Sequence, residues 1–306
     1  MRVAIYKDTL KNRRGADNAV LALAAGLCER RHEAVVFEKA ALSDRLAERW
    51  DVVVSAGTNE LLDLADYAGA PIVQQFHTDP KSQFKWKRIV RNWKIRRLLR
   101  RVAAIQVLRE DLMAQVAKYG PQVRVIGNWS EWAGCAQTAS PMSKKIVYPA
   151  VLGRKKNQRL AVEAFALLSK EFPDWSFELY GNGVPDFPLP DGVRHKGYCD
   201  LGHVYASCAF VAFPSLDEGF PLTLVDAAAF ERPVVMVRDW IGTAAAGGGL
   251  VAEQTVPAYA VALRRLMSDP ALCRQMGASA RRYCESNYSR DKILDQWEAL
   301  FESVVK

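Results

Sequence analysis

The six cysteines of this 306-residue chain, Cys28, Cys135, Cys199, Cys208, Cys273 and Cys284, form no Cys-x-x-Cys pair. Nothing in their spacing points to a zinc site or a dithiol redox centre, and scattered thiols of this kind are expected to stay reduced in the cytosol. No apolar run approaches the ~18 residues that a membrane span requires. Residues 1–6 are followed at once by Lys7 and Asp8, so the opening reads as a first strand and not as a secretory leader. No repeat of solenoid period is present. Between Lys81 and Arg101 acids are missing altogether, and ten Lys or Arg stand in their place. That one stretch accounts for the net charge of +8. Half the residues are hydrophobic and a quarter charged, an ordinary globular composition with length enough for two cores.

Short apolar runs at 3–6, 34–37, 52–55, 71–75, 103–107 and 123–126 read as strands separated by helical patterns. The first helix, over 16–30, keeps Val20, Leu21, Leu23, Ala24 and Leu27 at helical spacing. This alternation predicts a doubly wound parallel sheet. Periodicity is lost over 130–143, which reads as a linker, and then restarts with strands at 145–149, 177–180, 194–196, 209–213 and 234–237. Helices are predicted over 257–267, 271–287 and 289–305. The expectation is an α/β protein with two Rossmann-like domains, 1–135 and 144–288, facing each other across a cleft. The last helix, 289–306, is expected to return to the amino-terminal domain.

The most informative segment is Phe213-Pro-Ser-Leu-Asp-Glu-Gly-Phe-Pro-Leu-Thr-Leu-Val-Asp226. It lies between the runs 209–213 and 234–237, with a helix predicted over 223–230 and Pro221 in its first turn. Glu218 falls in a loop at the carboxyl end of a strand, where open α/β sheets bind ligands. Asp226 falls about one turn into the helix. Backbone N–H groups over Gly219 to Leu222 would form an anion site at the helix start. A carboxylate for hydroxyls, amides for phosphate and a second carboxylate suggest a sugar-nucleotide pocket. Spacing alone leaves open the alternative that these acids only complement the helix dipole.

The order of motifs settles on one resemblance. Pro214-Ser215, Glu218-Gly219-Phe220, Asp226 and Glu231-Arg232-Pro233-Val234-Val235 resemble the signature of GT-B glycosyltransferases of the retaining GT4-like family, the glycosyl transferases group 1. Lys156-Asn157-Gln158 before Glu163-Ala164-Phe165, Leu179-Tyr180-Gly181-Asn182-Gly183, Lys196-Gly197-Tyr198 and Gly248-Gly249-Leu250-Val251 agree with it in order, the last as a further turn. In the amino half, Arg14-Gly15-Ala16-Asp17, Gln74-Gln75-Phe76-His77-Thr78-Asp79 and Gly127-Asn128 match more loosely. Two positions depart from the family. Asp226 stands where a Glu is usual, and Val151 where an Arg is usual, with Arg154 able to supply that cation from elsewhere in the loop.

The resemblance implies an enzyme that moves a sugar from a UDP- or GDP-linked donor to an envelope glycan or lipid-linked acceptor, retaining and without a metal. No Asp-x-Asp metal diacid is present in the chain. The implied catalytic residues are Glu218 on the donor-sugar hydroxyls, Lys156 on the diphosphate and His77 at the sugar or β-phosphate. Arg154, Gly181, Asn182, Gly197, Tyr198, Gly219, Phe220, Pro221, Leu222, Asp226 and Gly15 would bind the donor. His32, His195 and His203 read as surface or turn residues. No cofactor beyond the nucleotide sugar is implied. Two other readings stay open: a GT-B relative that binds nucleotide sugar with little transfer, and a basic membrane-binding Rossmann protein.

The acid-free segment is the second feature. Trp86, Ile89, Val90 and Trp93 fall on one helical stripe, flanked by Lys85, Arg88, Arg91, Arg96 and Arg97. This fits an interfacial helix on anionic lipid or glycolipid, and hence a peripheral protein on the cytoplasmic face of the membrane. A core helix with a solvated basic face is the alternative, and nucleic acid is not expected as a partner.

Overall fold

The computed structural model describes residues 1–10, 15–84, 87–120, 122–133 and 143–305. The chain divides into two compact units, Met1–Asn128 with Arg290–Lys306, and Trp129–Ser289.

The first unit runs β1 (Arg2–Tyr6), α1 (Gly15–Glu29), β2 (Glu33–Phe37), α2 (Leu42–Leu46), β3 (Val52–Ser55), α3 (Thr58–Asp63), β4 (Ile72–Gln75), α4 (Pro80–Gln83), α5 (Ile89–Leu99), β5 (Ala104–Val107), α6 (Glu110–Val116) and β6 (Val123–Val125). All six strands are parallel, in the order β2-β1-β3-β4-β5-β6. β1, β3 and β5 are buried on both faces. This explains why they read as unbroken apolar runs and not as alternating ones.

The second unit runs β7 (Lys145–Pro149), α7 (Gln158–Ala166), β8 (Ser176–Tyr180), β9 (Val193–His195), α8 (Leu201–Ala206), β10 (Phe210–Phe213), α9 (Leu222–Ala229), β11 (Val234–Met236), β12 (Gly249–Val251), α10 (Val256–Ser268) and α11 (Pro270–Tyr288). Its parallel sheet has the order β12-β11-β10-β7-β8-β9. The chain then returns to the first unit as α12 (Arg290–Val304), which buries Ile293, Leu294, Trp297, Leu300 and Phe301. Arg30, following α1, holds it through Asp295 at 2.5 Å and Glu298 at 2.7 Å.

Three expectations change. Residues 248–251, read as a turn, include the edge strand β12, whose Val234↔Gly249 register places Gly249 where a Cβ would lie 2.4 Å from the Val234 carbonyl oxygen. The linker predicted over 130–143 does not begin at 130: Ser130 is buried, and Trp132 packs edge-on against Tyr205 and Phe230 at 5.8 and 5.7 Å. The second unit accordingly starts at Trp129, seven residues before the boundary expected after 135; residues 134–142, and Cys135 with them, lie outside the described residues. Pro221 caps α9 from outside the helix and does not occupy its first turn.

Candidate functional site

In each sheet the strand order reverses at one point, and in open α/β sheets ligands bind at the carboxyl ends of the strands beside such a point. In the second unit that point lies between β7 and β10. The loop after β7 carries Val151 to Asn157, and the loop after β10 carries Pro214 to Pro221.

These two loops are stitched together. Leu216 donates its N–H to the Lys155 carbonyl at 2.8 Å, and Lys155 pairs with Asp217. Lys156 Nζ meets Glu218 Oε1 at 2.5 Å, and the Ser215 hydroxyl donates to the same oxygen at 2.5 Å. Glu218 is 8% exposed and Ser215 fully buried. The Tyr148 hydroxyl, on β7, donates to the Lys156 carbonyl at 2.7 Å. Burial beside Glu218 pushes that phenol well above its ordinary pKa, so it stays protonated and remains a donor. The Lys156 loop has its own brace. Gln158, buried at the start of α7, accepts from the Gly153 N–H and donates to the Val151 carbonyl. Asn157 turns the chain into the helix through a left-handed conformation at φ 54°.

The glycine turns join the same cluster. Leu152 donates to the Asn182 carbonyl at 2.9 Å, and Gly181 donates to the Gly197 carbonyl at 2.8 Å. Gly181 sits at φ +127°, and a Cβ there would lie 2.4 Å from the Ala150 carbonyl oxygen. Only glycine lets the β7 and β8 loops approach this closely. His195, at the end of β9, bonds the Gly181 carbonyl at 2.9 Å. It is therefore a part of the turn, the second of the two settings, surface or turn, that the sequence left open for it. Tyr198, just past Gly197, stands 81% exposed.

Thus Glu218, Lys156, Gly181, Asn182 and Gly197 come together at one end of one sheet. Arg154 projects from the same loop, exposed and with no ion pair to any described residue. Other expected members have different surroundings. Phe220 is buried edge-on against Tyr288 at 5.3 Å, as a packing residue. Of the amides expected to face an anion, Pro221 has no N–H and that of Leu222 closes on the Phe220 carbonyl at 3.0 Å. The predicted row of anion-facing amides over 219–222 is therefore reduced.

Asp226, on α9, lies within electrostatic reach of Ser130 and Glu131. Burial pushes its carboxyl up to about 7, the nearby Ser130 hydroxyl works the other way, and Glu131 adds to the rise. A carboxyl whose folded pKa is near 7, against about 4 when unfolded, favours the fold in its protonated form. That contribution is complete below pH 4 and is lost as the pH climbs from 4 to 7. Asp226→Asn, which cannot ionise, is expected to melt several degrees above wild type at about pH 8 and close to it at about pH 4.5. Melting curves at the two pH values check this; an equal difference at both would contradict it.

The first unit reverses its strand order between β1 and β3, and it too has a Lys–Glu pair there. Lys7 Nζ lies 2.9 Å from Glu60 Oε1, and Glu60, 4% exposed on α3, also accepts from the Asp8 N–H at 3.2 Å. Sequence reasoning missed this pair, since its members lie 53 residues apart with no motif between them. His77, two residues past β4, is near it. Burial, then the Lys7 charge, pushes its imidazole down to about 4, with Glu60 opposing, and its Nε2 is buried without a hydrogen bond. His77 is therefore neutral at physiological pH. Gly15 opens α1, and residues 11–14 lie outside the described residues.

Among the described residues no group of three or more His, Cys, Asp or Glu is placed to hold a metal ion. No described helix is long and apolar enough to cross a membrane.

On α5 the buried face is Asn92, Ile95 and Leu99, so the expected stripe is not core: Ile89 is 76%, Val90 69% and Trp93 58% exposed. Lys85 and Trp86 lie outside the described residues. Arg91 serves the fold, donating to Thr58 at 2.9 Å and to Asn59 at 2.7 Å, and Arg96 lies over the Phe84 ring at 5.4 Å.

Comparison with known proteins agrees with this geometry. Residues 143–269 match the family model described as Glycosyl transferases group 1, so the second unit carries a domain of that kind. The chain is 30% identical over 231 residues to an exopolysaccharide phosphotransferase of Streptomyces coelicolor, covering 68% of this chain and 24% of that protein. It is 25% identical over 222 residues to the GtfA subunit of a UDP-N-acetylglucosamine–peptide N-acetylglucosaminyltransferase of Streptococcus pneumoniae, covering 64% and 43%. The chain spans less than half the length of these curated relatives. The crystal structure of Anabaena HepE in complex with UDP superposes with a TM-score of 0.83 at 15% identity, over 99% of this chain and 100% of that one. The fold is that of the GT-B glycosyltransferases.

Proposed function

We propose that this protein is a glycosyltransferase that moves a sugar from a UDP- or GDP-linked donor to an envelope glycan or lipid-linked acceptor, with retention and without a metal. The observation that carries the reading is the Lys156–Glu218 pair at the point where the second sheet reverses its strand order, inside the matched domain. Donors in this class leave as a diphosphate while the sugar takes on oxocarbenium character. Fixed cations held in a protein site stabilise the first charge without reorganising. Lys156 supplies a point charge and Arg154 a planar fork in one loop. Glu218 accepts from donor-sugar hydroxyls, Gly181 and Gly183 let the backbone approach the donor, and Tyr198 offers an exposed ring to the base. Asp226 accepts from the ribose hydroxyls. With retention, the departing phosphate takes the acceptor proton and no protein base is required.

The first unit is assigned the acceptor, with neutral His77 and the Lys7–Glu60 pair lining its end of the sheet. Relatives support the donor class: GtfA of Streptococcus pneumoniae is described in complex with UDP and GlcNAc, and HepE with UDP-glucose. The exposed Ile89, Val90 and Trp93 among basic neighbours support a peripheral location on an anionic membrane. The second reading, a nucleotide-sugar binder with little transfer, is favoured by Val151 where the family usually has Arg and by Asp226 where it has the longer Glu.

A thermal-shift panel of UDP-, GDP-, ADP- and CMP-sugars tests the donor. A nucleotide sugar at a hundred times its dissociation constant stabilises by about 2.7 kcal/mol, which is roughly 5–10 °C at 2–4 °C per kcal/mol. UDP- or GDP-sugars are expected to give that shift, and release of nucleoside diphosphate with an acceptor present separates transfer from binding. A panel with no shift would sink the enzyme reading.

A further inference from the structure

We propose that the groove between α3 and α5 holds a single anionic phospholipid of the bilayer. The groove has a volume of about 530 Å³, within the range of ordinary ligand sites. Leu62 and Ala65 form one wall and Val90 and Leu98 the other. Lys94 and Arg97 stand at its rim, with the Arg97 guanidinium 5.7 Å from the Trp93 ring centroid. No lining residue is acidic, and no acid occurs anywhere between Pro80 and Arg109.

Three features choose the occupant. An apolar floor below a basic rim matches an amphiphile, whose chain lies against Leu62, Ala65 and Leu98 while its phosphate meets Lys94 and Arg97. Lys94 has no ion pair with any described residue, so its charge is available to an incoming anion. The groove is continuous with the outward face of α5, where Ile89 and Val90 are more than two-thirds exposed, a position that would bring the groove mouth to a bilayer surface. Nucleic acid fits the charge but poorly fits the lining, which offers one ring, Trp93, already beside the Arg97 guanidinium, and otherwise the aliphatic Leu62, Ala65, Val90 and Leu98 where successive stacking surfaces are needed. Arg91, although it lines the groove, is held by Thr58 and Asn59 and forms part of its frame.

The proposal rests on the peripheral-membrane reading and is tested apart from it. Calorimetry with monomeric dihexanoyl phosphatidylglycerol, below its micelle concentration, reads the groove; sedimentation with phosphatidylglycerol vesicles reads the surface. Saturable binding of the monomer is expected, with none of dihexanoyl phosphatidylcholine or of glycerol phosphate alone. Ala65→Phe fills the groove and is expected to weaken monomer binding at least tenfold, as is Arg97→Gln. Ile89→Ser, outside the groove, should lower vesicle binding and leave the monomer affinity unchanged. Melting curves establish that each variant is folded. Vesicle binding by wild type without monomer binding would overturn the groove and leave the peripheral reading standing. Monomer binding unchanged in both Ala65→Phe and Arg97→Gln would also overturn it. Loss of both activities in wild type would remove both claims.

Discussion

Glu218→Gln is expected to lower sugar transfer by roughly a hundred- to a thousand-fold while leaving the protein folded. The amide keeps the size of the carboxylate, and its oxygen still accepts from Ser215 and Lys156. What it loses is the charge that strengthens bonds to donor hydroxyls as the sugar becomes cationic. A purely structural role gives the opposite pattern. If Glu218 only anchored Lys156, glutamine would preserve most activity, and alanine would act mainly on stability by removing the bonds to Lys156 and Ser215. With the Lys156 side chain 29% exposed, solvent limits that loss to roughly 1–2 kcal/mol. Transfer rates and melting temperatures of the two variants separate these cases; full activity in Glu218→Gln would refute the assigned role.

Gly181→Ala is expected to be the most destabilising single-methyl change in the second unit's loops. The new Cβ would lie 2.4 Å from the Ala150 carbonyl oxygen and 2.6 Å from its carbon, both backbone, at φ +127°. Strain of this kind costs roughly 2–4 kcal/mol, or about 5–15 °C in melting temperature. The change would also push apart the β7 and β8 loops, so nucleotide stabilisation should shrink with it. Gly197→Ala is the control. It shares a positive φ, +72°, but a Cβ there meets nothing within 4 Å, so only about 1–2 kcal/mol of backbone strain is expected. Equal melting of the two variants would show that the close approach at Gly181 has no energetic weight.

The alternation of elements was legible because parallel strands buried on both faces leave uninterrupted apolar runs, as in Val3–Ile5 and Val52–Val54. β12 was not, because an edge strand of three residues starting at Gly249 and ending in half-exposed Val251 carries no such run. Strand order was not legible either, and with it went the Lys7–Glu60 pair: two residues 53 apart become neighbours only because β1 lies beside β3. Local motifs singled out Glu218, Lys156 and Gly181, which the fold brings to one end of the second sheet. Their supports, Ser215, Gln158 and His195, were not assigned, because their role depends on which backbone group happens to lie opposite. Asp226 shows the limit most plainly. Its place in the motif suggested ribose; what the motif could not show is that Ser130, 96 residues earlier, lies close enough to act on its carboxyl.

The most direct test is a crystal structure of the protein with UDP, or with whichever nucleoside diphosphate stabilises it most. The diphosphate is expected within hydrogen-bond reach of Lys156 Nζ, with the nucleoside running past the Gly181–Gly183 turn toward Tyr198. A nucleotide bound away from the β7–β10 loops would contradict the site, whatever the enzyme's activity.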